Sequence, residues 1–392
     1  MSIQNVITQA QEYMADHNMA GWLLYDYRGM NPIFWDTVGP IANVTRPCWL
    51  WIPASGNAQL LVAYVDQGRF IHLGLDTMLF TGREDMTAKL GSMLAGNLRI
   101  AMEYSPKGLL PRVSKVDAGT LEFVRGLGVD VVSSADLLQY ATQRWDEAQL
   151  RSHQVAADKL SAIVAEAFRR IGDMLDSGPT EHEIAQFIRD RFVEEGLEVT
   201  DGPVVAANAH AADPHFEPTV DNCSVIKRGD WVLIDLWARQ PDEDAMFGDI
   251  TWTAYVGDQV PPRHQEVFDA VIGGRDAALH VLEQAFRDKR EIQGWEMDKA
   301  ARDYISDMGF GDYFNHRLGH SLGREVHSNA VNLDSWETYD TRVLMPGIAV
   351  TIEPGIYLPG EFGVRSEIDI FIGEDCPRIT TSVQREVFLI EG

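Results

Sequence analysis

Asp235 and Asp249 sit where a folded chain rarely tolerates charge. The stretch 229–257, GDWVLIDLWARQPDEDAMFGDITWTAYVG, reads as strands over 231–236 and 249–256, joined by a Pro- and Asp-rich loop. An apolar run that ends on Asp235 buries a carboxylate, which is costly unless the charge is paired. In a hairpin, Asp249 is expected opposite Asp235, with Cβ atoms roughly 4.5–5.5 Å apart. Like charges that close repel and shift each other's pKa unless a cation lies between them. On this stretch alone a plainer alternative stays open, in which one Asp ends a strand and the other opens a turn.

Two further stretches narrow the choice. HRLGHSLGREVH carries His316, His320 and His327 among glycines. His316 and His320 would share a helix face if helical, but Gly319 and Gly323 favour a loop. IAVTIEPGIYLPGEFGVRSEIDIFIG reads as a second hairpin, with strands over 348–353 and 364–372. Glu353 ends its first strand, and Glu367 lies on the returning strand, on the same face as Arg365 because their spacing is two. A Glu–Arg surface pair would not explain a glutamate inside an apolar strand. Two hairpins thus each carry two carboxylates near their closed ends, and the histidine-rich loop lies between them in sequence. Four carboxylates and one histidine suit two borderline or hard divalent ions with bridging carboxylates. Such pairs, about 3.5–4 Å apart, hold a hydroxide for attack on a carbonyl or phosphoryl centre.

The elements that must position these groups begin near residue 145. A long amphipathic helix starts at Asp146 and stops near 177–179, and a second helix opens on the capping box Thr180–Glu183. Strands follow at 203–207, 231–236 and 249–256, then helices at about 261–287 and 294–308. Residues 1–145 alternate helix-like and strand-like segments, including a hairpin around Ser55-Gly56-Asn57. They hold no dense cluster of His, Cys or carboxylates. The expected organisation is a mixed α/β (α+β) chain: an α/β domain over 1–145, then a catalytic domain over 146–392.

Composition excludes other classes. The net charge, −26 from 33 Lys+Arg and 59 Asp+Glu, opposes nucleic acid and anionic membranes. No apolar run reaches the roughly 18 residues of a membrane span. The N-terminus lacks a basic region followed by an apolar core, so no signal peptide is expected. Three scattered cysteines suit a reducing cytoplasm and no disulfide framework.

The ordered set Asp235, Asp249, His320, Glu353 and Glu367, in the motifs LID, GDITWT, GHSLGREVH, TIEPGIY and GVRSEID, resembles the five-ligand set of the M24 "pita-bread" metallopeptidases. The domain over 1–145 looks like the creatinase-type N-terminal domain of prolidases and aminopeptidases P. The resemblance implies a pita-bread catalytic domain and hydrolysis of Xaa-Pro bonds by a metal-bridging hydroxide. The leading expectation is an Xaa-Pro dipeptidase (prolidase), acting on a small peptide with proline second. The alternatives are an aminopeptidase P, a creatinase-like non-peptidase or an inactive binding module. Carried over by position, Asp235 and Asp249 hold one ion and His320 the other, with Asp249 and Glu367 bridging and Glu353 on the second ion. Glu353 is also the expected proton carrier, and His327 contacts the substrate amide. His215 resembles the histidine before the first Asp ligand, Arg365 the arginine beside the last Glu, and His316 the histidine four before the ligand. Two divalent ions are implied, Mn²⁺ first, with Zn²⁺ or Co²⁺ as alternatives. A homodimer is implied too, with Trp49, Trp51 and the YDYRG loop (25–29) as candidates to border a partner's site, against an apolar-core role for the tryptophans. Three departures stand out. The interval between Asp235 and Asp249 is lengthened by the acidic loop RQPDEDAMF, His215 is further from Asp235 than expected, and Trp237 and Trp252 replace smaller family residues and could reshape the pocket.

Overall fold

The computed structural model describes residues 2–199 and 201–392. They divide into two compact units on either side of the Arg144–Trp145 bond. The first unit is built on one mixed sheet of six strands, β1 (Gly21–Asp26), β2 (Cys48–Pro53), β3 (Gln59–Ala63), β4 (Asp76–Phe80), β5 (Arg99–Met102) and β6 (Asp130–Ser133), in the order β4-β3-β2-β1-β5-β6. The expected hairpin around Ser55–Asn57 is the antiparallel pair β2–β3. Period-two alternation sends Trp22, Leu24, Leu50 and Ile52 to one face, against α1 (Ile3–Asp16), α2 (Pro32–Val38) and α5 (Ala135–Thr142). It sends Leu23, Trp49, Trp51 and Leu61 to the other, against α3 (Arg83–Leu94) and α4 (Ala118–Arg125). Trp49 and Trp51 are therefore core residues of this unit, 1% and 3% exposed.

One buried carboxylate stands out in the first unit. Glu103 is fully buried. It accepts hydrogen bonds from Trp22 Nε1 at 2.6 Å and Asn31 Nδ2 at 3.0 Å. Asn31 and Gly29 donate their backbone N–H groups to Asp26, so the turn after β1 is tied from both ends. Burial pushes the Glu103 carboxyl up to about 7.

The second unit opens with α6 (Glu147–Met174), where Asp146 accepts from the Ala148 and Gln149 N–H groups in a capping box. After α7 (Glu181–Glu194), itself capped by Thr180 and Glu183, come β7 (Val204–Ala207), β8 (Trp231–Ala238) and β9 (Gly248–Val256), an antiparallel run. Two helices, α8 (Pro262–Arg287) and α9 (Gly294–Asp307), separate this run from the rest. The strands β10 (Ser321–Leu322), β11 (Ala349–Ile352), β12 (Gly355–Leu358), β13 (Phe362–Arg365), β14 (Ile368–Ile372), β15 (Pro377–Ile379) and β16 (Phe388–Ile390) follow. They form the sheets β10-β11-β14-β15 and β12-β13, while β16 joins β9. Among the described residues two large apolar cores result. One lies between α6, α7 and the first sheet; the other packs α8 and α9 on β11–β14. The carboxylate-bearing strands meet between them. Among the described residues no helix is long and apolar enough to cross a membrane.

Candidate metal centre

The hairpin β8–β9 presents both aspartates on one face, but not directly opposite each other. Asp235 pairs with Thr251, and Asp249 pairs with Trp237. The expected pairing is corrected by two residues because the hairpin closes on Ala238↔Gly248, which makes the aspartates diagonal neighbours. The loop between them is anchored at its apolar end. Phe247 donates its N–H to Gly323 O at 2.9 Å, and Met246 N–H to Ser152 Oγ at 3.1 Å. The lengthened acidic loop is thereby fastened to the histidine loop and to α6.

The glutamates lie at a break in a second ladder. The expected strand over 364–372 is two strands, β13 and β14, and the one over 348–353 ends at Ile352. Pairing runs through Ile352↔Ile368 and resumes at Gly355↔Arg365. Pro354 has no N–H to offer the ladder. Released from each other, Glu353 N donates to Leu318 O at 2.8 Å and Glu367 N to Thr251 O at 3.1 Å. These two bonds stitch the break to the histidine loop and to β9. Glu353 and Glu367 thus lie where the elements converge, away from the closed end of the hairpin.

His320 arrives on a loop, as its glycines imply. Its N–H donates to Thr351 Oγ1 at 3.0 Å, and Thr351 N–H returns a bond to His320 O at 2.8 Å. A Cβ on Gly319 would lie 2.1 Å from Thr351 O, so only glycine permits this approach.

Carboxylate oxygens of Asp249 and Glu367 and a ring nitrogen of His320 all lie within 4.8 Å of one another. His320 Nε2 is 3.4 Å from Glu353 Oε1 and 3.7 Å from Asp249 Oδ2. Burial raises the carboxyls of Asp235, Asp249 and Glu367, and their mutual repulsion adds to it at Asp249 and Glu367. Glu353 is pushed up to about 7, mainly by burial, with Arg365 and Arg317 pulling it back. Asp235 Oδ1 and Asp249 Oδ1 are buried with no hydrogen-bond partner. Buried, acceptor-only oxygens beside an imidazole nitrogen fit divalent cations by donor type and by charge. The cluster opens into a cavity of about 690 Å³, within the range of small-ligand sites.

The remaining expected residues all line that cavity, with different surroundings. Arg365 does not pair with Glu367. It donates through Nη2 to Asp235, through Nε to Thr251 Oγ1 at 3.0 Å and through Nη1 to the Tyr357 hydroxyl at 2.9 Å. Glu367 accepts instead from Thr251 Oγ1 at 2.7 Å. His316 is half-buried; its Nδ1 lies 2.7 Å from Arg317 O and its Nε2 2.9 Å from Tyr357 Oη. Since Arg317 O can only accept, Nδ1 carries the proton and Nε2 accepts from tyrosine. Burial, with Arg365 adding to it, pushes His316 down to about 3, so the ring is neutral. His327 is exposed and meets the His320 ring edge-on at 4.2 Å between centroids. His215 is exposed on the loop after β7. Trp237 also faces the cavity, its ring where a Cβ on Gly202 would fall (2.6 Å). Trp252, one residue out of phase, packs into the α6–α7 core and does not touch the pocket. Tyr357 is missing from the sequence-derived set, although the tyrosine of the quoted TIEPGIY motif marks it.

A sequence profile described as metallopeptidase family M24 matches residues 156–374. An uncharacterized peptidase, YqhT of Bacillus subtilis, is 31% identical over 266 residues, covering 66% of this chain and 70% of that protein. An Xaa-Pro dipeptidase of Pyrococcus furiosus is 32% identical over 234 residues, 59% of this chain. That match spans only 62% of the dipeptidase's own length. The fold is shared with dipeptidase PepE of Mycobacterium ulcerans, at a TM-score of 0.71 and 23% identity, covering 100% of this chain and 98% of that one. It is also shared with the prolidase of Pyrococcus horikoshii, at 0.61 and 24%, covering 97% and 99%. Family profile, relatives and shared fold agree with the mixed α/β architecture and the converging donors: the chain belongs to metallopeptidase family M24, a metal-dependent family, within its prolidase/aminopeptidase P group.

Proposed function

We propose that this protein is an Xaa-Pro dipeptidase working with two divalent ions held by Asp235, Asp249, His320, Glu353 and Glu367. The observation that carries the reading is the convergence of Asp249, His320 and Glu367 within 4.8 Å at the floor of one cavity. The choice of Xaa-Pro rests on relatives named Xaa-Pro dipeptidase, 32% and 33% identical. A bound metal pair supplies an activated water and a Lewis acid for the scissile carbonyl. Four carboxylates and one nitrogen favour a hard ion, manganese before zinc or cobalt.

The chain's own residues do the rest. Glu353 accepts from Thr351 Oγ1 at 3.2 Å and carries the proton that the departing imino nitrogen needs. His327, exposed beside His320, is placed to donate to the substrate amide and to developing charge on the carbonyl oxygen, worth ~10²–10³ in rate. Arg365 holds Asp235 in position, and His316 holds Arg365 through Tyr357. His215 borders the peptide at the cavity wall. A homodimer belongs to the same reading and rests on the resemblance alone.

The test is a rate comparison with Mn²⁺, Co²⁺ and Zn²⁺ supplied in turn. The substrates are an Xaa-Pro dipeptide, an Xaa-Pro-Yaa tripeptide and a dipeptide without proline. The Xaa-Pro dipeptide should be fastest, with Mn²⁺. A faster tripeptide would move the assignment to aminopeptidase P. No cleavage of either Xaa-Pro bond with any ion, while the proline-free dipeptide is hydrolysed, would overturn it.

A further inference from the structure

We propose that Arg239 is a positioning residue, which sets the place of His327 at the cavity by tethering the turn that carries it. The proposal rests on the function above, in which His327 donates to the substrate amide. His320 and His327 stand on the two limbs of one turn, closed at its base by Ser328 N–H donating to Ser321 O at 2.9 Å. His320 is held separately, since Thr351 bonds both its N–H and its carbonyl, at 3.0 and 2.8 Å. The tip of the turn is held from outside. Phe247 N–H donates to Gly323 O at 2.9 Å, and Arg239 Nη1 to Arg324 O at 3.2 Å. Two successive carbonyls of the tip are thus fixed by the two ends of the acidic loop, which runs from Arg239 to Phe247 between β8 and β9. Val326, on the returning limb, packs in the same apolar cluster as Met246 and Phe247 and lines the cavity beside His327.

The surroundings of Arg239 suit it to this tether. Its Nε and Nη2 lie 3.0 and 2.8 Å from one oxygen of Glu198, which leaves Nη1 for the turn. Its guanidinium carbon stands 5.5 Å from the centre of the Phe247 ring. Its main chain is fixed as well, with Glu198 N–H donating to Arg239 O at 2.8 Å and Arg239 N–H to Glu198 O at 3.1 Å. A guanidinium is planar and rigid, so a fork seated on Glu198 points its remaining N–H groups in one direction. Stability alone is a poor account of the arrangement. The Glu198 side chain is 45% exposed, and an ion pair that open to solvent contributes little. What the pair does is aim Nη1. The Arg324 side chain turns to Asp244 instead, 3.6 Å away, with 42% and 64% of the two side chains exposed. Arg239 holds the main-chain oxygen, three residues before His327. Misplacing a catalytic group by about 1 Å costs on the order of 100-fold in rate.

The competing role is structural, with Arg239 only stabilising the loop, and a double-mutant cycle separates the two. The experiment measures kcat and KM on an Xaa-Pro dipeptide, with metal content, for metal-loaded wild type, Arg239→Ala, Arg239→Lys, Arg324→Ala, His327→Ala and the double variant Arg239→Ala/His327→Ala. Arg239→Ala should lower kcat roughly ten- to a hundred-fold, with KM and bound metal little changed. Arg239→Lys keeps the charge for Glu198 without the fork and should recover part of that loss. Arg324→Ala should match wild type. In the His327→Ala background, Arg239→Ala should add nothing. The ring resonance of His327, identified by its loss in His327→Ala, should shift in Zn²⁺-loaded Arg239→Ala and stay in place in Arg324→Ala. Losses that multiply in the double variant would overturn the proposal. So would an unshifted His327 resonance, or a loss of kcat matched by a loss of metal. Should Arg239→Ala not fold, Arg239→Lys carries the same cycle and the same spectrum. Should wild type cleave no Xaa-Pro bond, the dipeptidase reading fails by itself, and the spectrum still decides the role of Arg239.

Discussion

Asp249 is expected to have opposite effects on stability with and without metal. Its carboxyl is buried beside Glu367 and Asp235, which raise its proton affinity, and its Oδ1 has no hydrogen-bond partner. Asp249→Asn removes one of several repelling charges. The metal-free variant should therefore melt above metal-free wild type in a thermal scan. Added Mn²⁺ should raise the melting temperature of wild type and not of the variant, while the variant's activity falls more than ~100-fold. Tyr357→Phe tests the chain that runs from His316 to Asp235. Removing the hydroxyl leaves Arg365 Nη1 and His316 Nε2 without their partner, and activity should drop about 10-fold with metal content retained. At this scale the converging residues were legible, because a carboxylate inside an apolar run is conspicuous in any one sequence. Their partners were not. Arg365 lies two residues from Glu367, yet its carboxylate is Asp235, 130 positions away, and only the fold makes that choice.

At the level of elements, the site depends on approaches that a single methyl group would block. Gly319→Ala places a Cβ 2.1 Å from Thr351 O, a backbone atom that cannot rotate aside. The loop must then lift from β11 and take His320 with it. Metal content and activity should fall together, with a loss of stability of about 1–3 kcal/mol measured by denaturant unfolding. In the first unit, Glu103 gives a dependence on pH. Its folded carboxyl titrates near 7 against an ordinary 4.5, so between those values the folded chain binds a proton that the unfolded chain has released. Stability is therefore fully present below about 4.5, falls as pH rises through the window, and is flat above it. Unfolding of wild type and Glu103→Gln across pH 5–8 should show a steeper fall in stability in wild type than in the variant, the raised carboxyls of the metal centre contributing equally to both. The existence of the strands and helices was readable from periodicity, and Trp252 could have been assigned to the core from its phase relative to Asp249 and Thr251. Register was not readable, because the closing pair Ala238↔Gly248 is set by a docked loop. Nor was the break at Pro354, whose missing N–H matters only once the ladder is known.

For the whole molecule, metal is expected to be a structural as well as a chemical component. Two apolar cores flank a seam of buried carboxylates, and ions held by that seam would bind only when it is assembled. Ligands that bind the folded state alone stabilise it by mass action, ~2.7 kcal/mol at a hundred times Kd, so chelation should lower the melting temperature and metal should restore it. The division near residue 145 was legible from the change to a long capped helix. The meeting of the two hairpins was implied only by the need to neutralise four carboxylates. The most direct test of the central claim is hydrolysis rate on an Xaa-Pro dipeptide as a function of divalent ions bound per chain. The rate should be negligible in the stripped protein and reach a plateau at two ions per chain. Full rate in protein stripped of metal would contradict it.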